Sequence, residues 1–96
     1  MKIVWSVAAK QSYLNIIEQI FIDWDIDIVE RFEYQVDSLV EKIQKNPQIC
    51  PESIFEYLHK CVINKHNSLI YRIKNKSTIE IVLLIFNKSD HIFSDL

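Results

Sequence analysis

The stretch SLIYRIKNKSTIEIVLLIF, residues 68–86, contains two apolar runs separated by a short polar connector. In the first run, Leu69, Tyr71 and Ile73 alternate with the other side chains, which is the period-two pattern of a β-strand. The second run, residues 78–86, is rich in isoleucine and valine and predicts another strand. The connector at 75–77 is short and contains an asparagine, which suits a hairpin turn with a positive φ angle.

A third strand is predicted immediately before this hairpin, at residues 57–64, and the connector after it is again short and polar. Consecutive strands joined by short turns form an antiparallel meander. Strict alternation along the last strand predicts one face with Ile79, Ile81, Leu83 and Ile85. The other face would then carry Glu80, Val82, Leu84 and Phe86.

The first half of the chain predicts a short strand at residues 2–6 and then two helices. The first helix should run from Val7 to about Ile22, with Ser6 as its N-cap. Apolar residues at spacings of three and four predict the side that it buries: Leu14, Ile17, Phe21 and Trp24.

The second helix is predicted to begin near Asp27, which resembles the first residue of a capping box completed by Glu30. It should end near Lys45, because the residue before Pro47 is pushed out of the helical region. Its apolar stripe is Val29, Phe32, Val36, Leu39 and Ile43. Two striped helices with a short connector form a hairpin that must pack on another element.

The sequence therefore predicts one α+β domain spanning residues 1–96. It consists of an N-terminal strand, an α-helical hairpin and a three-stranded antiparallel meander, with the helices packed on one face of the sheet. On the opposite face, an apolar patch of Ile70, Val82, Leu84 and Phe86 beside Arg72 and Lys74 indicates an interface. Simple burial of a central last strand explains the same pattern equally well.

Charge is unevenly distributed along the chain. The formal net charge is −2, yet the window from Tyr57 to Lys76 contains no Asp or Glu and holds several cations: Lys60, Lys65, Arg72, Lys74 and Lys76. Such a window can face an anion or an acidic protein, or be an ordinary solvated face. The complete absence of glycine excludes P-loop and dinucleotide fingerprints.

Membrane, metal and cofactor roles find little support in the sequence. The longest apolar run, 81–86, is far shorter than the roughly 20 residues of a membrane span, and no signal peptide is evident, so we expect a cytoplasmic protein. In that compartment Cys50 and Cys61 should be reduced thiols. His59, Cys61 and His66 lack a second ligand pair at metal-binding spacing, so we expect neither metal nor cofactor.

Several of these stretches resemble the ParE/RelE family of toxins. Ile3-Val4-Trp5-Ser6 followed by Ala8 or Ala9, the first helix, and Phe32 with Val36 are similar to its N-terminal half. The run VINKHNSLIYRI, residues 62–73, resembles the central hairpin of ParE-like members. Residues 81–90 resemble the last strand and its polar exit, which reads Asn87-Lys88-Ser89-Asp90-His91 here.

The resemblance implies a toxin of a bacterial type II toxin–antitoxin system, held silent by a cognate antitoxin that lies across the helices and the sheet. RelE-like members cut messenger RNA on the ribosome, whereas ParE-like members poison DNA gyrase. RNA cleavage needs a base, an acid and cations. The candidates for those catalytic roles are Lys60, Lys65, Arg72, Lys88 and His91.

The match to the ribonuclease branch is poor. Ser68 stands where that branch implies an arginine, Lys88 replaces a late arginine, and Phe93 is an aromatic residue without a proton to donate. A sequence pI near 5.9 also disfavours competition for RNA phosphates. We therefore favour the ParE-like branch, with gyrase as the target; ribosome-dependent RNA cleavage and a non-toxic, antitoxin-binding member are the alternatives. The residues expected to bind the target are Lys65, His66, Arg72, Lys88 and Phe93, and those expected to bind the antitoxin are Ile70, Val82, Leu84 and Phe86.

Overall fold

A computed structural model describes residues 1–53 and 57–87 and contains four strands and two helices. In chain order they are β1 (Lys2–Trp5), α1 (Val7–Asp23), α2 (Ile26–Lys45), β2 (His59–Val62), β3 (Asn67–Asn75) and β4 (Thr78–Phe86). No helix within these ranges is long and apolar enough to cross a bilayer.

The strands form one sheet in the order β1-β4-β3-β2. β2, β3 and β4 pair antiparallel as the predicted meander, whereas β1 pairs parallel with β4, with Lys2 opposite Thr78 and Trp5 opposite Ile81. Both helices pack on one face, where Phe32 and Val36 of α2 meet Tyr71 and Ile81 of the sheet in the core. The predicted α+β fold is confirmed.

α1 begins where predicted, but it buries a different side. The Oγ of Ser6 accepts a hydrogen bond from the backbone N–H of Ala9 and caps the helix. The buried residues are Ala9 and Ile16, with Tyr13, Ile17 and Ile20 partly buried against the core. Three members of the predicted stripe are exposed: Leu14, Phe21 and Trp24. That prediction was wrong because α1 is apolar on more than one side, and spacing alone does not choose between them.

α2 follows the prediction closely except at its first residue. Val29, Phe32, Val36 and Ile43 are buried, as the stripe predicted. The N-cap is Asp25, whose Oδ1 accepts from the N–H of Ile28 at 3.1 Å, so the prediction of a cap at Asp27 was wrong. Asp27 instead lies in the first turn, where a negative charge is favoured by the helix dipole.

β4 contains one extra residue relative to β3. Ile70 lies opposite Leu83 while Tyr71 lies opposite Ile81, so Val82 is the extra residue of a bulge. Alternation changes phase at this point, and Leu84 is buried in the core opposite Leu69. The prediction that Leu84 shares a face with Ile70 was therefore wrong.

Two serines of α1 bind the backbone at the bulge. The Oγ of Ser6 donates to the carbonyl of Val82 at 2.7 Å, and the Oγ of Ser12 accepts from the N–H of Leu84 at 3.0 Å. A bulge interrupts the strand ladder, and buried backbone groups need hydrogen-bond partners. These two contacts supply partners for groups on either side of Leu83.

The two cysteines form a disulfide, with Cα atoms 5.4 Å apart. The expectation of reduced thiols was wrong, because the chain after α2 folds back along β2 and brings Cys50 against Cys61. The hydroxyl of Tyr71 donates to the carbonyl of Pro47 at 2.7 Å, which fixes the start of the same segment.

Asparagine side chains shape both hairpin turns without a positive φ angle. Among the described residues, Tyr57 alone has a positive φ, so that expectation for the turns was wrong. The Oδ1 of Asn64 accepts from the N–H groups of His66 and Asn67, and the Oδ1 of Asn75 accepts from the N–H of Ser77. Such side-chain acceptors mimic a backbone turn.

Candidate functional site

The sheet face turned away from the helices is the first candidate surface. Residues directly opposite one another on neighbouring strands share a face, so the register defines its members. This open face includes Val4, Lys60, Val62, Ser68, Ile70, Arg72, Glu80, Leu83 and Ile85. Lys60, Ile70 and Leu83 form its middle row, and Val62, which is 67% exposed, stands at its edge. The face is apolar at its centre and carries charges at its margin.

The only cation of β3 that pairs with a carboxylate within the described chain is Arg72. Its Nε lies 2.7 Å from Oε1 of Glu80, directly opposite on β4. The Arg72 side chain is 48% exposed and that of Glu80 is 17% exposed. Glu80 therefore offsets the charge of Arg72 while leaving the terminal nitrogens of the guanidinium available to a partner.

Of the predicted catalytic candidates that lie within the described residues, the fold brings Lys60 and Arg72 together. Lys60 lies opposite Ile70, which places it diagonally from Arg72, at about 7–8 Å between backbones. Lys65 and His66 lie in the β2–β3 turn, beyond Asn67 and about 17 Å along the strand from Arg72. Lys88, His91 and Phe93 lie outside the described residues. The predicted cations thus form two separate groups.

The β2–β3 turn that carries Lys65 and His66 is held by Asn87. The Nδ2 of Asn87 donates to the carbonyls of Asn64 and Lys65, at 3.0 and 3.2 Å, and its backbone N–H donates to the carbonyl of His66. The side chains of Lys65 and His66 are exposed, whereas three backbone carbonyls of the turn accept hydrogen bonds from Asn87. The turn therefore presents both side chains to solvent from a backbone that is held in place.

A groove of about 440 Å³ opens between the tip of the helical hairpin and this turn. We call it the hairpin groove. Its apolar lining is Ile20, Trp24, Ile28, Phe32 and Phe86. Trp24 is 70% exposed and Phe86 48% exposed, so both rings are available at its rim. Its volume lies within the usual range of sites that bury a ligand or a side chain of a partner.

Polar groups of the hairpin groove come from α1, α2, and the β2–β3 turn with the start of β3. Arg31 and His66 contribute cationic or potentially cationic side chains, whereas Asp23 is engaged by the amide of Gln19 at 2.7 Å. Asn67 is 3% exposed, and its Nδ2 has no hydrogen-bond acceptor among the described residues. An unpaired buried donor is costly and favours a partner that brings an acceptor.

The four residues expected to bind the antitoxin are distributed over different surfaces. Ile70 is half-buried on the open face, and Val82 is half-buried at the bulge. Leu84 is part of the core and is not accessible to a partner. Phe86 is at the rim of the hairpin groove. No periodic pattern indicates the groove, because it needs residues from α1, α2, β4 and the β2–β3 turn.

Two of the three residues that invited a metal interpretation, His59 and Cys61, are otherwise engaged. His59 is buried, stacks on Tyr71 with ring centroids 4.8 Å apart, and its Nδ1 donates to the carbonyl of Cys50 at 2.8 Å. Cys61 is in the disulfide. Within residues 1–53 and 57–87, no three His, Cys, Asp or Glu side chains lie together as metal ligands would.

No protein-family model matches the chain, and no curated protein matches it significantly. Its structure is similar to a chain of the chromosomal ParDE toxin–antitoxin system of Pseudomonas aeruginosa, with a TM-score of 0.76 and 16% identity over 90% of this chain and 95% of the other. This chain has the ParE/RelE toxin fold.

Two further structures share the ParE/RelE fold with this chain. A YoeB/ParE toxin from Agrobacterium tumefaciens has a TM-score of 0.65 and 16% identity, covering 91% of this chain and 99% of its own. A copper-bound mutant toxin from Helicobacter pylori has a TM-score of 0.65 and 12% identity, covering 93% and 97%. At these identities the likeness concerns the fold, and the side chains must be argued separately.

Within this ParE/RelE fold, Ser68 is a position where the sequence departs from the ribonuclease pattern. Its side chain is fully buried, and its Oγ donates to Oδ1 of Asn87. A hydroxyl enclosed between strands and bound to an amide serves the turn and is not accessible to RNA.

Proposed function

We propose that this protein is the toxin of a type II toxin–antitoxin system, that it binds DNA gyrase in the manner of ParE, and that a cognate antitoxin neutralises it in the cytoplasm. The fold, which spans nine-tenths of the chain, supports the toxin assignment. The pairing of Arg72 with Glu80 is the observation that carries the choice of a protein target.

The ion pair between Arg72 and Glu80 argues against RNA cleavage because of its charge. Cleavage of RNA through its own 2′-hydroxyl builds negative charge that nearby cations must stabilise. On the open face Arg72 already has a carboxylate against it, and that carboxylate would repel a phosphate. Lys60 is the cation diagonal to Arg72 on that face, and Ser68 supplies no accessible group. A surface with an apolar centre and a few charges at its margin suits a protein partner better.

The hairpin groove supports the antitoxin part of the proposal. Exposed apolar side chains continue from it along α1 through Phe21 to Leu14, and contiguous apolar surface marks an interaction site. We assign this surface to an antitoxin segment with apolar anchors and neighbouring carboxylates, which would meet Arg31 and His66. A backbone or side-chain carbonyl of that segment would accept from Asn67.

The decisive experiment is a DNA supercoiling assay with purified gyrase, titrated with the full chain freed from its antitoxin. Inhibition with accumulation of linear, cleaved DNA is the expected result. Folded protein that leaves gyrase active but cuts messenger RNA on translating ribosomes would overturn the gyrase assignment in favour of the RelE-like alternative, supported by the proximity of Lys60 and Arg72. Absence of both activities, with no growth arrest on expression, would indicate a non-toxic antitoxin-binding member.

The antitoxin surface has its own test, with the antitoxin encoded beside the gene. Trp24→Ala and Phe86→Ala should each weaken antitoxin binding at least tenfold, because aromatic anchors dominate such interfaces. Tyr34→Ala is the matched control, since Tyr34 is 72% exposed on α2 and lies outside the groove. Equal antitoxin affinities for all three variants would show that the antitoxin binds a surface other than the hairpin groove.

A further inference from the structure

The segment after α2 lies along the outer edge of β2. The N–H of Lys60 donates to the carbonyl of Pro51 at 3.3 Å, and Glu52 forms an isolated antiparallel bridge with His59. We call residues 46–53 the edge segment. It covers the side of β2 that would otherwise be the free edge of the sheet, and free edges present unpaired backbone groups.

One covalent bond fastens the edge segment to the sheet. Cys61 is 1% exposed and belongs to the core, whereas Cys50 is only half-buried. A thiol reagent therefore reaches the sulfur of Cys50 from solvent more readily than that of Cys61. Non-covalent contacts also hold the segment, including the bonds from His59 to Cys50 and from Tyr71 to Pro47.

We propose that the Cys50–Cys61 disulfide is a reversible redox tie that sets how firmly β2 is held. A dithiol, or two small thiols, would reduce it: the S–S bond breaks, Cys50 and Cys61 each gain an electron and a proton, and the reductant leaves as a disulfide. Disulfides in a reducing cytoplasm are usually transient or redox-sensing. A regulatory role in the cell therefore rests on the proposed cytoplasmic location, whereas the test below does not depend on it.

Reduction has a local consequence because of what β2 carries. Cys61 faces the core, and its neighbours Lys60 and Val62 face the open surface. Release of Cys50 leaves the edge segment with hydrogen bonds alone, so β2 exchanges more freely between closed and open states. The position of Lys60 beside Arg72 is then less fixed, while α2, β3 and β4 keep their core contacts.

Hydrogen exchange on the full chain, oxidised and after treatment with dithiothreitol, tests this directly, with thiol alkylation and mass measurement to count reduced cysteines. We expect two alkylated thiols, at least tenfold faster exchange in residues 50–53 and 57–62, unchanged exchange in α2 and β4, and a Tm lower by about 10 °C. Reoxidation should restore the slow exchange. Cys50→Ser should behave like the reduced protein and should not respond to the reductant.

Three results would overturn the proposal: exchange in residues 50–53 and 57–62 that changes less than twofold on reduction, global unfolding on reduction, or two alkylated thiols in the protein before any reductant is added. Gyrase inhibition by the oxidised and reduced forms gives a separate readout. Its complete absence would count against the proposed function and leave the exchange result standing.

Discussion

Arg72 and Glu80 face each other across β3 and β4, with Nε of Arg72 2.7 Å from Oε1 of Glu80. The pair stands on the margin of the open face, where both charges are within reach of a partner. Its contribution to folding should be small, because partly exposed ion pairs are worth about 0–1 kcal/mol.

Substitutions at this pair separate binding from folding. Arg72→Ala should weaken gyrase inhibition at least tenfold, about 1.4 kcal/mol, while Glu80→Gln should preserve or strengthen it because Arg72 keeps its full charge. Dose–response curves for supercoiling measure the first effect, and chemical denaturation checks that stability changes by about 1 kcal/mol or less. Equal loss of inhibition in both variants would make the pair a structural element.

The β2–β3 turn offers a second test of target binding. Lys65→Ala should relieve growth arrest, since it removes an exposed cation from a turn whose backbone Asn87 holds independently. Its unfolding free energy should change by about 0.5 kcal/mol or less. Lys76→Ala, in the turn between β3 and β4 at the other end of the hairpin, is the control and should remain toxic. Relief by both variants would reflect net charge instead of a site.

Asp25 and Asp27, both at the start of α2, should contribute differently to the free energy of unfolding. Asp25→Ala should lower the unfolding free energy by about 1 kcal/mol through loss of the cap on Ile28. Asp27→Ala should cost about 0.3–1 kcal/mol, because it loses only an interaction with the helix dipole. Denaturation of the two variants under identical conditions gives the comparison, and a larger effect at Asp27 would contradict the structure.

Alkaline pH should destabilise the protein through Tyr71, which is buried, and Tyr13, which is partly buried. Burial raises the pKa of Tyr71 above the usual value of 10.0. Burial also raises the pKa of Tyr13, and the negative charges of Glu33 and Asp37 raise it further. A pKa that is higher in the folded state gives stability that is complete below the unfolded pKa and is lost as pH rises through the folded pKa. The unfolding free energy should therefore fall from about pH 10 upward.

Tyr71→Phe isolates the contribution of that phenol. The variant should be about 1–2 kcal/mol less stable near pH 8, because the carbonyl of Pro47 loses its donor. Its stability should then fall less steeply above pH 10 than that of the parent. Parallel curves for the two proteins would show that Tyr71 does not contribute to the alkaline transition.

The sequence predicted best those elements whose pattern allowed one interpretation. α2 has a single apolar stripe, and its buried residues followed from spacing. α1 is apolar on two adjacent sides, so spacing could not tell Ile16 from Leu14. The choice depended on the serines at 6 and 12, whose bonds to β4 orient the helix and which carry no periodic signal.

The candidate site was less predictable because it depends on long-range register. Strict alternation failed at Val82, where one extra residue moved Leu84 into the core. The pairing of Glu80 with Arg72 required the strand register, and the disulfide required the return of the chain along β2. The expectation of reduced thiols was based on the cellular compartment, and it could not foresee that the chain returns along β2 and brings Cys50 to Cys61.

The pairing of the first strand with the last has a consequence for how the molecule is made. Among the described residues, Lys2–Trp5 pairs with Thr78–Ile81 of β4 and with no other strand, and α1 packs on the same strand. While the chain is still growing on the ribosome, β1 and α1 therefore lack the strand on which they pack until β4 has been synthesised. We therefore expect a chain that ends before residue 78 to remain unfolded, because β1 and α1 then lack the strand on which they pack.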